Sequence, residues 1–402
     1  MSNTLITCNI IAKESLAVLK NMLGFAAAVN RDFDSEFGGN QSRGYSPGQT
    51  INIKKPPRYQ YRAGRVSVPQ STVETTIPLT LNQGGTDLGF TGLERAVSIQ
   101  QLEQKINAAV VTVVNEIDRQ GLDMARLTTF NAIGTPGTPP NTQALAIAAI
   151  TAAQQRLDEQ GAPRDSRSRA AIFNPAMNGY IVTGMAGLFN APGTVAAQFG
   201  SGIMVPSLGL TYAMDQNVVN HVNGAATATT VNGANQVGAS VTVLAVAGGT
   251  LTKGSVITLP GVLQVNPQSR QSTGATAQFV VTADVLVGAT SIPISPAIVT
   301  SGAFQNVTAS PTAGAAYTIL GAAGATYASN IIFHRDAFTL AMVPMDAPMA
   351  AGGVECSVAS DQGMSVKITK YYDPINDYNG MRLDVLFGWA APYPELATKL
   401  VA

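Results

Sequence analysis

The sequence predicts an α+β chain with a small antiparallel β-barrel inserted into one of its loops, and three observations carry that reading. From about residue 98 to 131, apolar residues recur at helical spacing over a length unusual for a globular helix. Near the C-terminus, MSVKITKYYDPINDYNGMRLDVLFGW alternates apolar and polar residues on both sides of a turn-forming stretch, as a β-hairpin does. Between the two, from about 222 to 327, the composition changes to short Val/Ile/Thr/Phe runs separated by glycine, and only Lys253, Arg270 and Asp284 are charged. That is the pattern of a small barrel, and the text on either side reads as parts of one mixed domain.

Taken in order, residues 12 to 29 place Leu16, Leu19, Leu23 and Ala26 or Ala27 on one helical face, either packed on the chain's own core or docked as an arm on a neighbour. RDFDSEFGGNQSRGYSPG is turn-like. In INIKKPPRYQYRAGRVSV, residues 51 to 68, Ile51, Ile53, Tyr59 and Tyr61 alternate, as do Val66 and Val68, which predicts two hairpin strands broken at Pro56 and Pro57. Proline confines such strands to an edge or an excursion, so the segment is expected to project as a loop.

Ser98 and Gln101 form a capping box, after which Leu102, Ile106, Val110, Val113, Val114, Ile117 and Met124 define one face. The helix runs to about Asn131, a spine roughly 45 to 50 Å long at 1.5 Å per residue, with Gly121 as a place to bend. TQALAIAAITAAQQRLDEQG is a second helix stopped by Gly161. AAIFNP is a short strand ended by Asn-Pro, and GIMVPSLGLTYAMD gives strand-like pieces. In the C-terminal hairpin, Asn379-Gly380 is the expected turn.

Charged residues make up 12% of the chain and the formal net charge is zero. So sparse a charge does not suit a protein free in solution and points to a surface covered by other subunits. Cys8 and Cys356 are too few and too far apart for a disulfide framework or a thiolate metal site, and fit a reducing compartment. The first thirty residues carry Lys13, Glu14 and Lys20 where a signal peptide needs an apolar core, and no window is long and apolar enough to span a bilayer. A soluble cytosolic product is expected, with no membrane partner.

Catalytic chemistry is hard to place. Gly44-Tyr45-Ser46-Pro47-Gly48 satisfies G-x-S-x-G, but the residue after a nucleophilic serine supplies an oxyanion-hole N–H, which Pro47 lacks, and no helix follows. His221 and His334, the only histidines, have no Cys, Asp or Glu at zinc-ligand spacing. No phosphate-cradling glycine motif occurs. Asp158-Glu159 and Asp373 with Asp377 fall at a helix terminus and in a turn, where solvated roles are the default. No enzyme, cofactor or metal site is expected.

The charges are nevertheless segregated. Between Glu36 and Glu74 lie Arg43, Lys54, Lys55, Arg58, Arg62 and Arg65 and no acid, whereas residues 74 to 123 carry seven acids against three bases, among them Glu94, Glu103, Glu116 and Asp118. Nucleic-acid readout comes with a basic excess over a whole domain, which is missing here. A basic projecting loop and an acidic helix on one chain instead suit a head-to-tail assembly in which each copy offers what the next lacks. A solvated loop without a partner is the alternative.

The order of these parts resembles the major coat proteins of tailed bacteriophages, most of all the short-tailed group that adds an insertion domain to the Hong Kong ninety-seven coat fold. The motifs that carry the resemblance are VLKNMLGFAAAVNRDF, GQTINIKKPPR, AAIFNPAMNGY, LTKGSVITLPGV, SNIIFHRDAFTLAM and YNGMRLDVLFGW. The resemblance implies an N-terminal arm (1–39), an extended loop lying across an adjacent subunit (40–73) and a peripheral domain with the spine helix (74–149). An axial domain (150–221), the inserted barrel (222–327) and a return to both domains (328–402) follow. It implies a homo-oligomer of pentamers and hexamers forming an icosahedral virion shell around double-stranded DNA, touched weakly and nonspecifically. A separate scaffolding protein and a portal protein are implied partners. Related insertions use charged residues between capsomers, and here Lys253, Arg270 and Asp284 are the ones available. No lysine–asparagine crosslink is expected from Lys54 or Lys55. A cellular nanocompartment shell of the same fold is the alternative, and the inserted block speaks against it.

Overall fold

The computed structural model describes residues 12–13, 15–17, 23–33, 48–62, 64–67, 69–91, 102–165, 168–185, 206–345, 355–361 and 364–402. The chain forms two compact units, one from residues up to Ile53, Thr76–Gly121 and Thr339–Ala390, the other from Lys54–Thr75, Leu122–Phe338 and Ala391–Ala402.

In the first unit the strand Tyr378–Ala390 is the organiser, pairing antiparallel with Met364–Asp373, Asn82–Thr91 and Thr339–Met342. Glu355–Asp361 adds a further antiparallel strand against Met364–Asp373. The hairpin predicted from alternation is present, but its turn is Pro374 to Asp377, with Asp377 at φ +44°. Asn379-Gly380 lies inside the second strand. Gly380 is required there because a Cβ would sit 2.1 Å from the Tyr371 ring, so its role is close packing of an aromatic and not a turn. Ile53, Leu79, Leu81, Ala341 and Ala390 cluster as a small core.

The spine helix runs Leu102–Thr128, 27 residues, and its first twenty belong to this unit. Val110, Val113, Val114 and Ile117 are buried, as the period required. The capping box at Ser98 and Gln101 lies outside the described residues. Asp118 also points inward. Its two carboxylate oxygens accept the backbone N–H groups of Gly24 and Ala26 at 2.8 and 2.9 Å, capping the short helix Phe25–Ala28.

The second unit is built on a five-stranded sheet in the order Ala132–Ile133, Ala397–Leu400, Asn330–His334, Arg169–Phe173, Thr211–Met214. Every residue of its three central strands is buried, which is what a sheet covered on both faces demands. One face packs on the alanine-rich helix Gln143–Glu159 through Ala146, Ile150, Ala153 and Leu157. That helix ends as its sequence required: Gly161 takes φ +78° and Ala162 N–H returns to Leu157 O at 3.0 Å.

The sequence reading missed the helix Pro175–Met185. Asn-Pro ends the strand Arg169–Phe173 as expected, and it also starts this helix: Asn174 Oδ1 accepts Met177 N–H at 2.8 Å, so asparagine caps a helix whose first residue is proline.

The inserted block is a small antiparallel barrel. Its strands follow the order Thr318–Ile319, Val256–Val265, Ser272–Val281, Ser291–Ile298, Gly238–Thr242. The segment 229–232 spans the two edges, bridging Val231 to Val243 just after one edge strand and Thr230 to Ala316 just before the other. Inside lie Val241, Val243, Ile257, Leu259, Phe279, Ile292 and Tyr317, all buried. The strands Asn220–Val222 and Thr326–Ala328, by which the chain enters and leaves, pair with each other.

Candidate functional site

The strand Thr50–Lys55 ends at Pro56-Pro57, which offer no N–H to a ladder, and its partner is Thr75–Thr80. The return strand of the basic hairpin therefore lies beyond residue 74, and Val66 and Arg65 belong to the loop. Polar side chains hold the loop's two limbs together. Gln60 N–H donates to Gln70 Oε1 at 2.8 Å, Gln70 Nε2 donates to Gln60 O at 2.7 Å, and Tyr59 and Thr72 hydroxyls meet at 3.0 Å. At the tip Arg62 donates to the carbonyls of Gly64 and Val66. Tyr61, 92% exposed, and Val66, 78% exposed, present apolar surface next to the exposed Arg62 and Arg65.

The base of the loop finds much of its negative charge within its own chain. Lys54 pairs with Glu74 at 3.1 Å in the open, and Arg58 pairs with Glu395 at 3.3 Å while lying over the Phe304 ring. Lys55 Nζ lies 5.4 Å from the centre of the Tyr393 ring. The barrel residue Arg270 donates to Tyr59 O at 2.7 Å, so it serves as a strut between insertion and loop inside one chain. Lys253 and Asp284, both exposed, meet where the Lys253 N–H donates to Asp284 Oδ1 at 2.6 Å.

A cavity of about 270 Å³ opens beside this base, walled by Phe130, Phe279, Phe304 and Val307 and edged by Lys55 and Arg58. A polar hollow of about 330 Å³ adjoins it, with Arg58, Arg270 and Glu395 on its rim. Gln264, 4% exposed, lines the cavity; its Oε1 accepts from Arg156 at 2.6 Å, and its Nε2 has no partner among the described residues. Glu395, Tyr393 and Gln264 carry no sequence motif and lie far along the chain from the loop, so only folding reveals them as its setting.

The acidic half of the expected contact changes composition. Asp118 is 2% exposed and committed to the arm, so it offers nothing to a partner. Its place at the period of Val114 and Ile117 already put it on the buried face. Glu116 is exposed, and its hydrogen bonds from Arg119 and Gln120 hold its carboxyl below the usual range despite some burial. Arg43, Glu94 and Ser46 lie outside the described residues, as does the side chain of Glu103.

Both histidines have structural surroundings. His334 Nδ1 accepts Asp336 N–H at 3.3 Å and caps a short 3-10 turn. His221 Nδ1 meets Arg126 at 2.9 Å and its Nε2 meets Ser255 Oγ at 3.2 Å, at the foot of the barrel. Burial, with Lys399 and Arg126 nearby, pushes its pKa down to about 4. Lys399 is wholly buried there, donates to Gly254 O at 3.3 Å, and is driven down to about 7 by desolvation and by Arg126. Asp158 is gripped by Arg164 and Arg169; Asp373 and Asp377 are tied up within the hairpin turn. Among the described residues no group of three or more His, Cys, Asp or Glu side chains could hold a metal ion, and no helix is long and apolar enough to cross a membrane.

A family model described as "P22 coat protein - gene protein 5" matches residues 93–400. No curated protein matches the chain. Among solved structures, one from Mycobacterium phage Che8 is 13% identical with a TM-score of 0.49, covering 94% of this chain and 91% of that one. A virus-like particle from Pyrococcus furiosus is 9% identical with a TM-score of 0.40 and 97% coverage of both chains. The capsid of Myoviridae phage XM1 is 7% identical with a TM-score of 0.38, covering 93% of this chain and 88% of that one.

Proposed function

The chain belongs to the P22 coat protein family, matched over most of its length, and from that premise we propose how it builds the virion shell of a tailed bacteriophage. As a major capsid protein its work is structural: copies associate into pentamers and hexamers, and these close into an icosahedral shell around double-stranded DNA. The family match over 93–400 is the observation that carries this reading. The domain scheme from arm (1–39) through inserted barrel (222–327) to the C-terminal return (328–402) is part of the same proposal.

The extended loop is the reaching element. Lys54, Lys55 and Arg58 have partners at its base, so the charges it presents to a neighbour are Arg62 and Arg65, beside the apolar Tyr61 and Val66. Their counterparts are Glu94 and the spine residues Glu103 and Glu116 of the adjacent copy. Each exposed pair contributes only about 0 to 1 kcal/mol, so the charges fix register, and the buried apolar area supplies most of the affinity. A separate scaffolding protein guides assembly in the host cytoplasm, a portal protein occupies one vertex, and DNA is contacted without sequence preference. Tight phosphate binding would oppose packaging and ejection.

The test is co-expression with the scaffolding protein of the same phage, followed by negative-stain microscopy of the purified particles. Closed, uniform shells are expected. A chain that stays monomeric under every assembly condition overturns the proposal.

A further inference from the structure

Resting on the coat-shell reading, the structure assigns a second subunit contact: the turn Pro374–Asp377 of one copy seats in the cavity beside Lys55 and Arg58 of another. The turn is an apolar knob ringed by negative charge. Ile375 is 90% exposed at its apex, flanked by Asp373 and Asp377. Its shape is fixed before any partner arrives, because Asp373 accepts from Ile375 N–H at 2.9 Å and from Asn376 Nδ2 at 2.8 Å, and Tyr372 OH donates to Asp377 at 3.0 Å. A preordered knob loses little conformational entropy on docking.

The socket has the complementary character. Its walls are the phenyl rings of Phe279 and Phe304 with Val307, and its volume of about 270 Å³ is ample for one branched aliphatic side chain with part of its backbone. Lys55 and Arg58 stand at the rim, and Arg270 follows on the adjoining hollow, against the single carboxylate of Glu395. Two aspartates arriving with the knob would answer that excess.

One buried donor also awaits an acceptor. Gln264 Nε2 has no partner among the described residues, although a buried amide N–H left unmade costs about 1 to 3 kcal/mol. The turn can offer acceptors at its apex, namely carboxylates, the Asn376 amide oxygen and backbone carbonyls. Knob and socket are different patches of one chain, so the contact is heterologous, the type from which a ring of copies is built when the rotation between them closes.

The experiment uses cysteine pairs in assembled shells. With Cys8 and Cys356 replaced by serine, Ile375→Cys is combined with Phe304→Cys, assembled with scaffolding protein and oxidised mildly. A ladder of covalent multimers in the double variant, absent from either single variant, is expected. Intact shells without a ladder overturn the contact and leave the coat reading standing; loss of shells from the cysteine-free parent strikes the coat reading itself. If the double variant does not assemble, shells mixed from the two single variants are oxidised instead, where a covalent dimer supports the contact and its absence overturns it.

Discussion

A Cβ built on Gly121 of the spine helix would lie 2.5 Å from Cζ2 of Trp389. The indole fills the space a side chain would take, stacks on Phe25 with ring centres 5.3 Å apart, and donates its N–H to Ile117 O at 3.2 Å. Gly121 therefore marks a close approach of strand to helix, where the sequence suggested a bend.

Gly121→Ala is consequently expected to destabilise the chain. Glycine-to-alanine in a helix interior ordinarily gains about 1 kcal/mol, but forcing a methyl against a packed indole costs about 1 to 3 kcal/mol. A net loss, with a shifted emission of the sole tryptophan, is the expected outcome of urea unfolding followed by fluorescence. A variant more stable than the parent would contradict the packing argument.

Lys399 and His221 make stability depend on pH in one direction. Both folded-state pKa values are depressed, Lys399 from 10.5 to about 7 and His221 from 6.5 to about 4. Between each pair of values the unfolded chain holds a proton that the folded chain has lost, so stability rises with pH across about 4 to 6.5 and again across about 7 to 10.5. Arg126, Asp123 and Tyr327 face the same cluster; burial pushes Tyr327 up from 10.0 to about 12, so it opposes the upper rise only above pH 10.0. Lys399→Met should abolish the upper rise and reduce the lower one without removing it, because burial and Arg126 still depress His221, read as melting temperature against pH.

The barrel should be removable at its neck. Val222 pairs with Thr326 and Asn223 N–H donates to Ala325 O at 2.9 Å, so Gly224 to Gly324 can be replaced by a two-residue Asn-Gly turn. The shortened chain is expected to keep its helical circular-dichroism signal and melt cooperatively. Lys399 then exchanges Gly254 O for water, which offsets part of the lost contact. Absence of any cooperative transition would show that the body depends on the barrel for its fold.

Arg62→Glu with Arg65→Glu should leave the unassembled chain within about 0.5 kcal/mol of the parent, since both side chains are exposed. On the proposed contact, shell formation is expected to fail, because the reversed charges would face Glu94, Glu103 and Glu116 as like charges. Normal particles seen by electron microscopy would exclude the tip from the contact.

By itself the sequence determined what is periodic or local: the spine from Val110 to Ile117, the helix closed by Gly161, the glycine-punctuated barrel strands, and the alternation of the C-terminal hairpin. These rest on interactions between residues a few positions apart, and the order of parts was enough to expose the coat-protein resemblance. Only the tertiary structure decided which charges remain for a partner. Asp118 turned inward to cap the arm, Arg58 found Glu395, Arg270 found the Tyr59 carbonyl, and Gly121 and Gly380 made room for Trp389 and Tyr371. The reason is physical. A charge or a missing side chain is specified by whatever folding brings against it, and most of those neighbours lie tens to hundreds of residues away in the chain.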